Sequence, residues 1–231
     1  MGAPPALTHL GRIRIQTGKI ARRRDVTEQF GSGGGIRFER QGKAGIVTLA
    51  RPASLNAVTG AMVDALARAL DAWEHDDAVA LVLVRAEGRV FCAGGDIVEI
   101  HRRHAAGESS VAFFAAEYRL NHRIATFPKP YVALVDGLAM GGGVGISYHG
   151  SHRVVTEKAA FAMPETGIGF FPDVGASFLL PRLKGAFGTF LGLTGARIGW
   201  GDQIWSGLAT HAVPSDRLDA LVAALCDGGD P

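Results

Sequence analysis

Two apolar, β-branched runs each lead into a glycine-rich turn. Ala80–Val84 precedes Val90-Phe91-Cys92-Ala93-Gly94-Gly95-Asp96, and Tyr131–Val135 precedes Gly137-Leu138-Ala139-Met140-Gly141-Gly142-Gly143. Each turn reads as the opening of a helix. Glycine permits close approach of backbone to backbone or ligand, and helix N-termini leave N–H groups unpaired. Two such turns side by side can hold an oxygen that gains negative charge, an oxyanion hole made of main chain.

Composition bounds the setting of these turns. The 231 residues fit one large domain, or one plus a small appendage, and 47% apolar content supports a substantial core. A net charge of +2 leaves no whole-chain footprint for nucleic acid. No apolar run approaches the length of a membrane span. Cys92 and Cys226 form neither a metal pattern nor a disulfide framework, which fits a reducing compartment. The expected location is therefore cytoplasmic, with mitochondrial as the alternative if the N-terminus is a transit peptide.

Residues 1–35 read differently from the rest. Arg12, Arg14, Lys19, Arg22, Arg23 and Arg24 precede any acidic residue, apolar periodicity is weak, and the apolar core of a secretory signal is missing. A transit peptide, a disordered tail and an overextended start all fit, and the expectation is an unfolded basic leader ending in the Gly31–Gly35 joint. A folded domain is expected over 36–231. It opens with a hairpin, Ile36–Arg40 and Ile46–Ala50. Thr59 then caps a helix with Met62, Leu66, Ala69, Leu70 and Trp73 on one stripe. Ala80–Arg85 and the run from Tyr131 are buried strands, with helices after the first turn and from Ser109 or Ser110 to about Ala125. Two short strands fall within 152–163. Helices dominate from Gly175 onward, with a brief strand near His211–Val213. Short apolar strands alternating with helices predict an α/β fold with largely parallel pairing. No dinucleotide fingerprint or Walker lysine occurs at the first turn.

Three carboxylates stand out. Glu117 lies on a stripe with Phe113, Leu120 and Ile124, where it is either a buried carboxylate or one reaching water at the stripe's edge. Glu165 sits in Met163–Gly175, a segment otherwise rich in apolar residues, Gly and Pro. Its apolar flanks would raise its pKa, which suits a positioned base. Asp173 in the same segment reads either as a substrate hydrogen-bond partner or as a helix N-cap. Asp96 reads as structural, at a helix start. Cys92 as a nucleophile with His101 or His122 as base has no spacing to support it. His149 and His152 lack metal-ligand spacing.

The segments Arg51-Pro52 through Leu55-Asn56-Ala57, Phe91–Ile97, Gly137–Gly145 and Pro164–Arg182 resemble, in that order, the crotonase or enoyl-CoA hydratase/isomerase superfamily. The resemblance covers Ile36 to the C-terminus. It implies a spiral of ββα units with a helical C-terminal region, and a CoA thioester held by the N–H groups of Gly95 and Gly142. Hydratases of the superfamily carry a glutamate two residues after the glycine triplet, where this chain has Gly145. Their second glutamate is matched by Glu165, and Asp173 stands where they have glycine. Phe113-Phe114, Glu117-Tyr118, Leu120-Asn121 and Phe171-Pro172-Asp173-Val174-Gly175 instead resemble the hydrolase branch that acts on 3-hydroxyisobutyryl-CoA in valine breakdown. There the positions matching Glu117, Gly142, Glu165 and Asp173 line the substrate site.

The resemblance thus implies hydrolysis of a short branched β-hydroxyacyl-CoA. Glu165 and Asp173 would be catalytic, and Glu117, Gly142 and Gly95 would bind substrate. No metal or separate cofactor is implied, CoA being part of the substrate, and a homo-oligomer is compatible. The rivals are an enoyl-CoA hydratase or isomerase on the same fold, and an inactive or CoA-binding fragment. The latter arises because members of the hydrolase branch continue through C-terminal helices that this chain lacks after Leu218–Cys226.

Overall fold

The computed structural model describes residues 26–31, 34–229 and 231. Strands β1 (Val26–Glu28), β2 (Ile36–Gln41) and β3 (Ala44–Leu49) precede helix α1 (Gly60–Glu74). Then come β4 (Leu81–Ala86), β5 (Val90–Cys92), α2 (Ile97–Ala105), α3 (Val111–Ala125), β6 (Tyr131–Val135), β7 (Leu138–Met140) and α4 (Gly142–Gly145). The rest comprises β8 (His152–Val155), β9 (Ala160–Ala162), α5 (Ala176–Leu179), α6 (Phe187–Thr194), β10 (Ile198–Gly199), α7 (Trp200–Ser206), β11 (His211–Ala212) and α8 (Leu218–Cys226). Among the described residues, no helix is long and apolar enough to cross a membrane.

The strands form two sheets, ordered β1-β2-β3-β4-β6-β8-β11 and β10-β9-β7-β5. Pairing is parallel from β3 to β11 in the first sheet and from β5 to β9 in the second. Each turn of the chain lays one strand in the large sheet, one in the small sheet, and then a helix: β4–β5–α2, then β6–β7–α4. The next pair, β8–β9, ends in a single 3-10 turn at Glu165–Ile168. Here the structure refines the reading of the glycine turns, because each contains a three-residue strand. Corner positions explain the glycines that flank them. Gly137 has φ 132°, and a Cβ there would lie 2.5 Å from the Arg89 carbonyl oxygen.

Packing accounts for the apolar runs. On β4, Val82 and Val84 join the core under α1, while Leu81 and Leu83 face Leu221 and Leu225 of α8. A strand covered on both faces shows no polar alternation. Met62, Leu66, Ala69, Leu70 and Trp73 of α1 are all buried, and Thr59 Oγ1 caps the helix by accepting from Met62 N at 3.2 Å.

The expected start of the folded domain at residue 36 is corrected. β1 pairs antiparallel with β2 from Val26↔Arg40 to Glu28↔Phe38, and Trp73 Nε1 donates to Glu28 Oε2 at 2.6 Å. Phe30 sits edge-on to Phe38 and Trp73, with ring centroids 5.2 and 5.8 Å away. An indole N–H and an aromatic socket thus hold residues 26–30 on the body. The basic stretch 1–25, and residues 32 and 33 of the Gly/Ser joint, lie outside the described residues.

Asn56 fastens the approach to the first glycine turn. It is fully buried at φ 56°, accepts from Arg51 N at 2.8 Å, and donates to the Glu87 and Val90 carbonyls, each at 2.8 Å. Its amide therefore ties the Arg51–Ala57 segment to both ends of the β4–β5 connection. Asn56→Ala removes three hydrogen bonds and leaves the half-buried backbone groups of Arg51, Glu87 and Val90 without them. Denaturant titration is expected to show a loss of about 2–4 kcal/mol.

Candidate active site

The first glycine turn is aimed by its neighbour. Val58 N donates to Gly94 O and Asp96 N donates to Val58 O, each at 2.8 Å. This bridge turns the intervening N–H of Gly95 the other way, because successive peptide groups of an extended segment alternate in direction. Asp96 confirms its structural reading: its side chain accepts from Glu99 N at 3.0 Å and pairs with Arg51 Nη2 at 3.0 Å. The second turn meets the first at Gly142, the first residue of α4, whose N–H has no intrahelical partner. A Cβ on Gly142 would lie 3.0 Å from Gly95 N. Among the described residues, neither N–H donates to a backbone carbonyl.

Each residue of the glycine triplet is packed against a different element. A Cβ on Gly141 would lie 3.0 Å from Glu165 Oε1, one on Gly142 2.5 Å from Glu117 Oε1, and one on Gly143 2.6 Å from the Cys92 carbonyl oxygen. The glycines thus let two carboxylates and a strand close on one point. Glu117 is 2% exposed and Glu165 8% exposed, and among the described residues Glu117 Oε1 and Glu165 Oε2 have no hydrogen-bond partner. The snorkelling alternative for Glu117 therefore falls. Burial pushes Glu117 up to about 8, reinforced by the charge on Asp173. Burial likewise pushes Glu165 up to about 7, partly offset by its own backbone N–H and reinforced by Asp173.

Asp173 completes the group from the loop before α5. Its backbone carbonyl, rather than its side chain, accepts from Ala176 N at 2.7 Å, so the N-cap reading also falls. The carboxylate instead accepts from the Tyr118 hydroxyl at 2.7 Å. Burial raises its pKa, and that hydrogen bond opposes the rise. The next residue, Val174, holds φ 41° and accepts from His149 Nε2 at 2.6 Å. Burial lowers the His149 pKa, and the ring clamps the loop by donating its Nε2–H to that carbonyl.

Gly95, Gly142, Glu117, Glu165 and Asp173 all line one cavity of about 510 Å³, walled on its apolar side by Ile97, Ile100, Phe113, Phe114 and Phe170. A second cavity of about 820 Å³ shares Gly95 and Ile97 with it and carries Arg51, Arg102 and Arg103. The nucleophile reading of Cys92 is excluded, since its thiol is buried and pushed up to about 12 by desolvation. Among the described residues, no cluster of His, Cys, Asp or Glu could hold a metal ion. At Gly145 a Cβ would lie 2.6 Å from Asn121 Nδ2 and 3.0 Å from Val174 Cβ. The position of the missing hydratase acid is therefore closed by packing.

Sequence reasoning missed Tyr118 as the partner of Asp173 and Phe170 as a wall. Only the aromatic spacing Phe114-Tyr118 at i, i+4 hinted at either. Phe170 stacks on Phe114 with ring centroids 5.9 Å apart, covering the cavity from the loop side.

This arrangement has relatives. The chain matches the family model described as enoyl-CoA hydratase/isomerase over residues 44–230. It is 48% identical over 202 residues to a protein of Danio rerio named 3-hydroxyisobutyryl-CoA hydrolase, mitochondrial, covering 87% of this chain and 53% of that one. A Rattus norvegicus protein of the same name is 50% identical over 192 residues, covering 82% of this chain and 50% of that one. A crystal structure described as an enoyl-CoA hydratase from Rhodobacter sphaeroides 2.4.1 superposes with a TM-score of 0.82 at 48% identity, covering 85% of this chain and 60% of that one. The chain spans about half the length of the curated relatives it matches. The two-sheet spiral, the crossed glycine turns and these matches together establish that the chain belongs to the enoyl-CoA hydratase/isomerase family.

Proposed function

We propose that this chain hydrolyses a short β-hydroxyacyl-CoA thioester, 3-hydroxyisobutyryl-CoA, to the free acid and CoA. The observation that carries the reading is the meeting of two glycine N–H groups and two buried carboxylates that are all left without full partners among the described residues, while position 145 has no room for a third acid. Gly95 and Gly142 donate to the thioester oxygen and stabilise it as the carbonyl becomes tetrahedral. Glu165, ionised, is the catalytic carboxylate. As a base it takes a proton from water as the water oxygen bonds to the carbonyl carbon. As a nucleophile it bonds to that carbon itself, and water then cleaves the acyl anhydride. Either way the C–S bond breaks and the CoA thiolate gains a proton. Asp173, oriented by Tyr118, accepts the substrate hydroxyl, and Glu117 closes the polar end of the acyl pocket. Arg102 makes no ion pair among the described residues and faces the adjoining cavity, which suits the CoA phosphates. The names of the animal relatives support a mitochondrial setting over the cytoplasmic one expected from cysteine usage.

A thiol-release assay with 3-hydroxyisobutyryl-CoA tests the reading. Free CoA is expected from this substrate, and little from an unbranched acyl-CoA lacking the hydroxyl. Loss of enoyl absorbance from crotonyl-CoA without thiol release would assign the site to hydration instead. Binding of CoA with neither change would leave a binding module.

A further inference from the structure

Helix α3 carries a second buried polar group that this mechanism does not use. Asn121 lies one turn after Glu117 and is 4% exposed, and neither Nδ2 nor Oδ1 has a hydrogen-bond partner among the described residues. Glu117 Oε1 is in the same state. Buried amides in native folds are nearly always satisfied, by ordered water where protein does not serve.

Opposite both groups stands the glycine face of α4. A Cβ on Gly142 would lie 2.5 Å from Glu117 Oε1, and one on Gly145 would lie 2.6 Å from Asn121 Nδ2 and 3.0 Å from Oδ1. Positions three apart on a helix are neighbours, about 5–6 Å between Cβ atoms. Gly142 and Gly145 therefore let the α3 side chains fill one narrow seam against α4, with the carboxyl at its cavity end and the amide one turn deeper. The other groups facing Glu117 are acidic or neutral: Asp173 from the loop, Glu165 across the cavity, the Cys92 thiol from β5 and the Tyr118 hydroxyl on its own helix. No cation faces it among the described residues, so the Asn121 amide is the side-chain donor this seam offers.

We propose that Asn121 is a positioning residue for Glu117: its amide N–H reaches the Glu117 carboxyl through one buried water in the seam between α3 and α4, and fixes that carboxyl towards Gly142. The inference rests on the hydrolase reading for what Glu117 does in turnover, whereas the pairing itself does not need it. A donor aimed at a carboxyl favours its ionised form, and loss of that donor raises the pKa.

The test is an infrared titration of the Glu117 carboxyl band, assigned by its loss in Glu117→Gln. In Asn121→Leu the midpoint is expected to rise by about one pH unit. With the substrate, kcat is expected to fall about tenfold with KM within about twofold. The double variant with Glu117→Gln should be no slower than Glu117→Gln alone. If Asn121→Leu does not fold, Asn121→Ala and Asn121→Ser replace it, with serine restoring the midpoint and alanine raising it. An unmoved midpoint, or additive losses in the double variant, overturns the proposal. Should the wild type release CoA from no substrate, the hydrolase reading falls and the infrared midpoint still decides the pairing.

Discussion

Glu165→Gln is expected to lower kcat for thioester hydrolysis by about 10²–10⁴-fold, with KM little changed. The amide keeps the shape of the side chain but can neither take a proton from water nor attack the carbonyl. Wild-type activity should rise with pH and reach half its maximum near the Glu165 value of about 7, because only the ionised carboxylate is competent. The residual activity of the variant should lack that limb. The sign for stability is opposite. Burial raises the folded-state pKa above the ordinary 4.5, so ionisation works against the fold as pH climbs from that value towards about 7. Gln removes this penalty, and the variant should melt no lower than wild type at pH 8. Thiol-release rates between about pH 5.5 and 9, with melting curves on the same samples, check all of this. Unchanged turnover in the variant would take Glu165 out of the chemistry.

What the sequence reveals of this site follows from which constraints are local. The α1 stripe from Met62 to Trp73, the Thr59 cap and the glycine turns are local patterns, and the fold keeps each of them. Glu117 is legible as an anomaly in an apolar stripe, but its burial depends on Gly142 across the cavity. Only the packing of α3 on α4 decides between a buried carboxylate and an edge one. The Tyr118–Asp173 hydrogen bond links residues on separate elements, with no periodicity to announce it. Strands β5 and β7 are three residues each, too short for an alternation to register. β1 escapes for a different reason. Val26 and Thr27 are exposed and Glu28 is polar, so its place depends on Trp73 and the edge of β2 rather than on its own composition. The acids at 165 and 173 stand out in sequence because they are the only charged residues in a run rich in apolar residues, Gly and Pro, and the fold brings both to one cavity.

Gly142→Ala should be nearly as damaging as loss of Glu165, for a steric reason. Its methyl carbon would lie 2.5 Å from Glu117 Oε1, 3.0 Å from Gly95 N and 3.3 Å from the Gly94 carbonyl carbon. The first turn cannot retreat without breaking the Val58 N–Gly94 O and Asp96 N–Val58 O bonds, each 2.8 Å, that aim it. The methyl therefore crowds the two N–H groups, where the proposed mechanism puts the thioester oxygen. Loss of such donors costs about 3–4 kcal/mol of barrier, or about 10²–10³-fold in kcat. Backbone strain does not confound the result, since Gly142 begins a helix and does not adopt a positive φ. Gly143→Ala is the control. Its Cβ would press on the buried Cys92 carbonyl, 2.6 Å away, and on Cys92 Cβ, 2.8 Å away, so it should lower the melting temperature. Gly142→Ala should instead lose turnover with a smaller drop in melting temperature, because its shortest contact is with the end of the Glu117 side chain and not with main chain. If Gly142→Ala retains more than about a tenth of wild-type kcat, its N–H does not hold the oxyanion, and the two crossed turns serve packing alone.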